Sequence, residues 1–315
     1  MVASASRRAQ VRRRRRFGLG AAAALVALAI IGAAWAMRPT AAPAPASYAS
    51  QDAVDRAAAD AAANAQEAAK AAEEIEGRTW AIGPYVDQVP KADGVAAGAP
   101  VKGLVALTFD DGPGRYTYDV LALLKRHRMQ ATFFVLGAKA EQDPDALRQM
   151  ADEGHVVAAH SWSHASMVTL SAQDLASEFD RTNAVIRDAV GRIAPLQRPP
   201  FGDFDRRTNR WSRANGMVPI LWNVDSNDWQ LDSAQEVARN VLEAPNLGPG
   251  AIILLHDGGD DRSMTVNALP AIMDGLRKRG LRSVTIPELL RQGPPETISP
   301  GTFAPSTYAE GDAAG

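Results

Sequence analysis

The residues of this chain with most chemistry to offer are two adjacent carboxylates, Asp110 and Asp111, two histidines four apart, His160 and His164, and a further histidine, His256. They lie in three strings: Thr-Phe-Asp-Asp-Gly-Pro over 108–113, His-Ser-Trp-Ser-His over 160–164 and Leu-Leu-His-Asp over 254–257. Together these supply an acid, a base and a metal cage, the set that a metal-assisted hydrolase requires. Adjacent aspartates at a strand end diverge, so one can ligate a metal while the other accepts a proton. An Asp-Gly-Pro sequence also makes an ordinary turn. The spacing of the two histidines would put both imidazoles on one helical face, as zinc sites often do. Position 161 is serine, so the His-Glu-x-x-His pattern of metalloproteases, with its glutamate base, is not met.

Each string closes an apolar run that reads as a strand: Leu104 to Phe109, His155 to Ala159 and Ala251 to Leu255. Reactive groups at strand ends are the habit of α/β barrels. Further strand-like runs cover Ala131 to Leu136, Pro219 to Val224 and Ser283 to Ile286, with amphipathic segments between them, which is an α/β alternation. Ser171 with Asp174 predicts a capped helix start ahead of Leu175, Phe179 and Ile186, and Asp232 with Gln235 predicts another ahead of Val237 to Leu242. Gly191, Gly216 and Gly280 fall where those helices and the next should stop.

Two more strings lie between the second and third, Arg-Pro-Pro-Phe-Gly over 198–202 and Asp-Ser-Asn-Asp-Trp over 225–229. In this order the five resemble the polysaccharide deacetylases, the carbohydrate esterase family 4 enzymes with a NodB homology domain. The resemblance runs from about Gly103 to Arg291. It implies a distorted (β/α) barrel with a groove across the C-terminal strand ends. By the same resemblance Asp110 is the general base, and Asp111, His160 and His164 are ligands of zinc, cobalt or another divalent ion. Arg198 pairs with the base, the Phe201 amide helps bind the oxyanion, and Asp228 supports the arginine and histidine network. Trp229 and Leu254 wall the acetyl-methyl pocket, and His256 is the general acid. The family usually has tyrosine at position 201, so a hydroxyl is lost here while the amide remains. The implied substrate is an N-acetylated glycan, with cell-wall peptidoglycan ahead of chitin-like oligomers or an exopolysaccharide. An O-acetyl esterase acting on xylan uses the same strings, and an idle carbohydrate-binding protein is the rival from another class.

The N-terminus differs from the rest. Seven arginines, Arg7, Arg8 and Arg12 to Arg16, precede an uncharged apolar run over 17–36. About 20 such residues can cross a bilayer as a helix, and the arginines would hold its start in the cytoplasm. The expected organisation is a basic cytoplasmic segment over 1–16, a transmembrane anchor over 17–37, an Ala/Pro-rich linker and helical stalk over 38–100, the catalytic domain over 101–291 and a disordered tail over 292–315. A cleaved signal peptide is the alternative, since Ala34-Trp35-Ala36 fits a small-x-small cleavage site. Either way the catalytic domain is exported, to the outer side of the cytoplasmic membrane or beyond.

Setting the seven arginines aside turns the formal net charge of −2 into −9 for the remainder, which argues against a nucleic-acid partner. With no cysteine in the chain, disulfides and thiolate ligands are excluded, so any metal must be held by nitrogen and oxygen. A monomer is expected. Of the other histidines, His127 reads as a solvated helix end complementing the dipole, and His155 as structural. Trp222 reads as core, and Asp257 with Asp260 to Arg262 as a polar loop, with an edge of the groove as the alternative.

Overall fold

The structure is a computed structural model and describes residues 87–101 and 103–303. The expected anchor and most of the linker and stalk lie outside the described residues, and among the described residues no helix is long and apolar enough to cross a membrane.

Alternation along the strands decides the architecture. In β2 (Leu104–Asp110), Val105, Leu107 and Phe109 belong to one apolar cluster, while Ala106 belongs to another. The same split recurs in β3 (Ala131–Val135), β4 (Val156–Ala159) and β8 (Ile252–His256). The first cluster also holds Leu121 and Leu124 of α1 (Thr117–His127), Phe179 and Ile186 of α4 (Ala172–Val190), and Leu269 and Ile272 of α7 (Ser263–Lys278). It is the layer between sheet and helices. The second cluster, with Phe134, Ala158, Leu196 and Leu254, fills the inside of the curled sheet. Full burial of a side chain such as Phe133 or Leu107 contributes about 1.5–3 kcal/mol, so both faces of these strands favour one register.

The remaining elements complete a helix-wrapped parallel sheet. They are β5 (Leu196–Gln197), β6 (Val218–Pro219), β7 (Val224–Asp225), β9 (Arg282–Ser283), α2 (Gly137–Gln142), α3 (Pro144–Asp152), α5 (Arg206–Ala214), α6 (Ala234–Leu242) and α8 (Ile286–Leu290). The strands run β6-β5-β4-β3-β2-β8-β7, all pairs parallel, with β9 added to β2. The two ends of that path, β6 and β7, are joined through residues 220–223, so the sheet curls back towards itself. This is the distorted (β/α) barrel that the five strings imply.

Several local expectations shift. The single strand expected over Pro219 to Val224 is broken, because the Arg198 guanidinium takes the carbonyls of Ile220 and Leu221. Ser171 caps α4 as expected and Gly191 ends it at φ 78°. Ser233, rather than Asp232, caps α6. Gly216 and Gly280 each lie one residue past the cap that ends α5 and α7.

The domain also reaches beyond the expected 101–291 on both sides. β1 (Gly94–Ala97), inside the segment expected to be linker, pairs antiparallel with β10 (Glu296–Ile298), inside the segment expected to be a disordered tail. Val95 bridges Ile220, and its carbonyl accepts from the Leu221 N–H at 2.7 Å, tying this ribbon to the irregular stretch between β6 and β7. Residues 304–315 lie outside the described residues.

Candidate active site

The inward-facing positions of the strands continue past the strand ends as polar groups. In β2 the series is Ala106, Thr108, Asp110, and in β8 it is Ile252, Leu254, His256. Val156 and Ala158 lead to His160, and Leu196 leads to Arg198. Asp110 and His256 are register partners in neighbouring parallel strands. The backbone then leaves the strand direction at once, since Asp111 has φ 70°, and the next carboxylate diverges from the first.

Asp110, His160, Arg198 and His256 are all at most 3% exposed. Burying such charges is costly unless they are paired. Arg198 donates to Asp110 Oδ1 at 2.8 Å, to Thr108 Oγ1 at 2.8 Å and to the Ile220 and Leu221 carbonyls. Its guanidinium also lies 4.3 Å from the Phe134 ring centroid and 5.4 Å from that of Trp222, so Trp222 is core but also touches the site. Burial raises the Asp110 pKa above the ordinary 3.8, against the opposing pull of Arg198.

His160 Nδ1 is 2.8 Å from the Arg198 carbonyl, which makes Nδ1 the donor and leaves the Nε2 lone pair facing Asp111. Burial, then the neighbouring His164, lowers the His160 pKa to about 3, so this ring is neutral at ordinary pH and its Nε2 lone pair is open to a cation. Asp111 Oδ1 is 3.5 Å from His160 Nε2 and 3.4 Å from His164 Nε2, and all three ligand atoms lie within 4.8 Å of one another. Tetrahedral zinc sites with bonds of about 2.0–2.2 Å have donors about 3.3–3.5 Å apart. Asp111 Oδ1 is buried without a hydrogen-bond partner, an acceptor that a cation would satisfy. The three residues fit a divalent ion held by nitrogen and oxygen.

The two histidines are not on a helix. Residues 160–164 form a loop in which Ser161 has φ 67° and His164 has φ 64°. Its carbonyls at Ser161 and Trp162 accept from the Gly137 and Ala138 N–H groups at the start of α2, and the His164 N–H donates to Ser161 Oγ at 3.0 Å in place of the His160 carbonyl that a helical turn would use. Glu178, on α4, closes the loop from the other side. Its carboxylate accepts from the Trp162 and Ser163 N–H groups at 2.8 Å each and from Ser163 Oγ at 3.0 Å. Arg181, one turn on, stacks 3.7 Å above the Trp162 ring. Glu178→Ala is expected to weaken divalent-metal affinity about 10–100-fold while Tm changes little, because the carboxylate supports ligands rather than core. Calorimetric titration of the metal into both proteins checks this, and equal affinities would rule it out.

On the far side, Asp228 accepts from His256 Nδ1 at 2.7 Å, from the His256 N–H at 2.8 Å and from Thr265 Oγ1 at 2.6 Å. Burial disfavours charge on His256, but the Asp228 carboxylate overcomes it and lifts the pKa to about 9. Trp229, next in sequence, is half-buried, and Leu254 is buried in the inner cluster. Phe201 stands in a short helical turn, Pro200–Gly202, at φ 61°, its ring centroid 4.3 Å from that of His164.

Sequence reasoning missed Glu178, Thr265 and the place of Asp257. Asp257 lies in the bend that follows β8, but it is not solvated. It is 1% exposed, its carboxylate accepts from Thr117 Oγ1, and its N–H and that of Gly258 donate to the Asp110 carbonyl at 3.2 and 3.3 Å. Burial, then the charges of Asp111 and Asp110, raise its pKa to about 7 against the Thr117 hydrogen bond. A Cβ at Gly258 would overlap the Asp111 carbonyl, so only glycine lets β8 pass this close to the Asp110–Asp111 turn. Asp260 and Asp261 are exposed, as expected of a loop, but Arg262 is buried, its Nε donating to the Gly258 carbonyl at 2.8 Å. His155 is structural, its Nδ1 accepting from the Ala131 N–H. His127 ends α1 as expected, but its side chain is only 13% exposed and lies 3.6 Å from Asp274, so it is covered rather than solvated.

Known proteins resemble this chain in sequence and fold. The family profile described as polysaccharide deacetylase matches residues 97–220. A peptidoglycan-N-acetylglucosamine deacetylase of Bacillus cereus is 34% identical over 192 residues, which cover 60% of this chain and 69% of that protein. A chitooligosaccharide deacetylase of Bradyrhizobium sp. is 35% identical over 198 residues, covering 59% of this chain and 90% of the relative. Among solved structures, the Bc1960 peptidoglycan N-acetylglucosamine deacetylase, in complex with a naphthalenyl N-hydroxybenzamide, superposes with a TM-score of 0.61 at 30% identity. That match covers 67% of this chain and 98% of the other.

Proposed function

The chain belongs to the polysaccharide deacetylase family, and from that premise we propose that it is a metal-dependent hydrolase removing acetyl groups from N-acetylated sugars of a glycan. The observation that carries the reading is one cluster: Asp111 Oδ1 within 3.5 Å of two histidine nitrogens, beside a buried Asp110 whose register partner is His256. The N-acetylglucosamine of peptidoglycan is the substrate we favour, since relatives named for it cover most of this domain. Release of acetate from acetylated peptidoglycan, chitin oligomers and xylan, with and without chelator, tests the reading. Activity confined to xylan, or activity indifferent to chelator, would overturn it.

Asp111, His160 and His164 would hold the ion, with zinc the best match to two imidazoles and a carboxylate. Such an ion polarises a carbonyl and lowers the pKa of water. Asp110 takes the proton from the attacking water, and the Arg198 hydrogen bond fixes which carboxylate oxygen is free to do so. Its raised pKa makes it a better proton acceptor than an ordinary aspartate. The Phe201 N–H supports the oxyanion that develops on the acetyl group. His256 then protonates the leaving amine, held in place by Asp228 and Thr265. Trp229 and Leu254 wall the pocket for the acetyl methyl.

The acid role sets a pH dependence. His256 must carry its proton, so activity should hold through neutrality and fall as pH rises through about 9. In Asp228→Asn the carboxylate that most raises this pKa is gone and burial is opposed only by the more distant charges of Asp111 and Asp110, so the descending limb should move to lower pH. A pH profile of kcat/KM for both proteins measures this. A limb that stays in place in the variant would remove His256 from the acid role.

The arginine cluster and apolar run support a catalytic domain tethered on the outer face of the cytoplasmic membrane, acting as a monomer on the glycan there. A reporter fused after Gly315 should be active only outside the cytoplasm. A reporter active inside would reverse the topology, and a mature N-terminus at Met37 would keep export but remove the anchor.

A further inference from the structure

The five strings end at Asp257, and the matched family profile ends at residue 220. Yet the chain beyond 291 returns to the site. β10 is pinned to β1, and Ser299 Oγ donates to Asp93 Oδ1 at 2.9 Å. From there the segment carries Ile298 and Phe303 onto the inner apolar cluster.

Phe303 packs on Gly202. A Cβ built at Gly202 would lie 2.6 Å from the Phe303 ring and 2.9 Å from the Trp222 ring, so the two rings close directly on the glycine backbone. They meet edge to face, centroids 5.0 Å apart at 89°, and Phe204 completes the group 6.2 Å from Phe303. Gly202 follows Phe201, whose φ of 61° is a position that a phenylalanine holds only when its surroundings impose it. Trp222 is fixed in turn by its Nε1 bond to Asp225 at 3.0 Å and lies against the Arg198 guanidinium that holds Asp110.

We propose that the segment Glu296–Phe303 is a working part of the catalytic centre, with Phe303 as a positioning residue. Its ring holds the Pro200–Gly202 turn that presents the Phe201 amide and, through Trp222, the guanidinium that orients Asp110. The chemistry it serves rests on the deacetylase reading above.

The test compares full-length protein with Phe303→Ala and Phe303→Tyr, which keeps the ring. Steady-state kinetics on an N-acetylglucosamine oligomer, bound-metal content, and hydrogen exchange of peptides covering 198–203 and 220–222 are measured. In Phe303→Ala, kcat should fall about 10–100-fold with KM nearly unchanged. Metal content should stay the same, exchange should quicken in those two peptides, and Phe303→Tyr should match the parent. An unchanged kcat with a raised KM would make Phe303 a substrate contact instead and overturn the proposal. So would faster exchange throughout the sheet with loss of metal, which marks a general structural role. If the parent releases no acetate from any glycan, the deacetylase reading fails. Exchange then decides alone, local quickening supporting the positioning role and unchanged exchange rejecting it.

Discussion

Replacing Asp111, His160 or His164 by alanine should lower kcat/KM by about a thousandfold or more, since Lewis-acid stabilisation of several kcal/mol is lost and each 1.36 kcal/mol is tenfold. The fold should survive, because all three residues lie beyond the strand ends and belong to neither apolar cluster. Stability should separate the metal-free from the metal-loaded protein. Without metal, Asp111 Oδ1 is a buried acceptor with no hydrogen-bond partner, and relief of that group offsets the cost of alanine at φ 70°, so Asp111→Ala should change Tm little. With metal, the parent gains the binding free energy of the ion and the variant does not, so Tm should then favour the parent. Metal analysis, acetate release and thermal melts with and without chelator cover every arm. Full activity in excess chelator, or a purified protein that takes up no divalent ion, would end the metal assignment.

How much of this was legible in the sequence depends on what each residue's partners are. The short apolar runs Leu104 to Phe109 and Ala251 to Leu255 place the strands, and the polar residue closing each run marks its functional end. The two-fold parity even carries Asp110 and His256 onto the same inner face. The histidine pair shows the limit of spacing. A separation of four fits a helix, but the backbone carbonyls of Ser161 and Trp162 are claimed by the start of α2, which is a tertiary contact that no spacing rule contains.

Supporting residues were invisible for a related reason. Glu178 and Thr265 lie on helices where a polar residue ordinarily faces water, and nothing local distinguishes them from their exposed neighbours. Gly94 pairs with Ile298 across almost the whole domain, and both strands are short and flanked by proline or glycine, so each alone reads as linker. Asp257 reads as loop because glycines follow it. The first of them, Gly258, is what allows the backbone to pass against the Asp110–Asp111 turn.

The acid and base assignments separate on substrates whose leaving groups differ. His256 acts after the tetrahedral centre has formed, and its proton is needed only where the departing group is a poor one. An amine must leave protonated, whereas the alcohol of an activated acetyl ester departs with little help. His256→Ala should therefore slow an N-acetyl substrate by about 100–10,000-fold and an activated ester far less. Asp110 acts on the attacking water, which both reactions require, so Asp110→Asn should slow both to a similar degree. The asparagine keeps the side-chain shape and can still accept from Arg198, which limits the cost of leaving that buried guanidinium without its carboxylate. Steady-state rates for the two substrates with the two variants suffice. If His256→Ala slowed both substrates equally while Asp110→Asn spared the ester, the proton donor and the proton acceptor would have to exchange places.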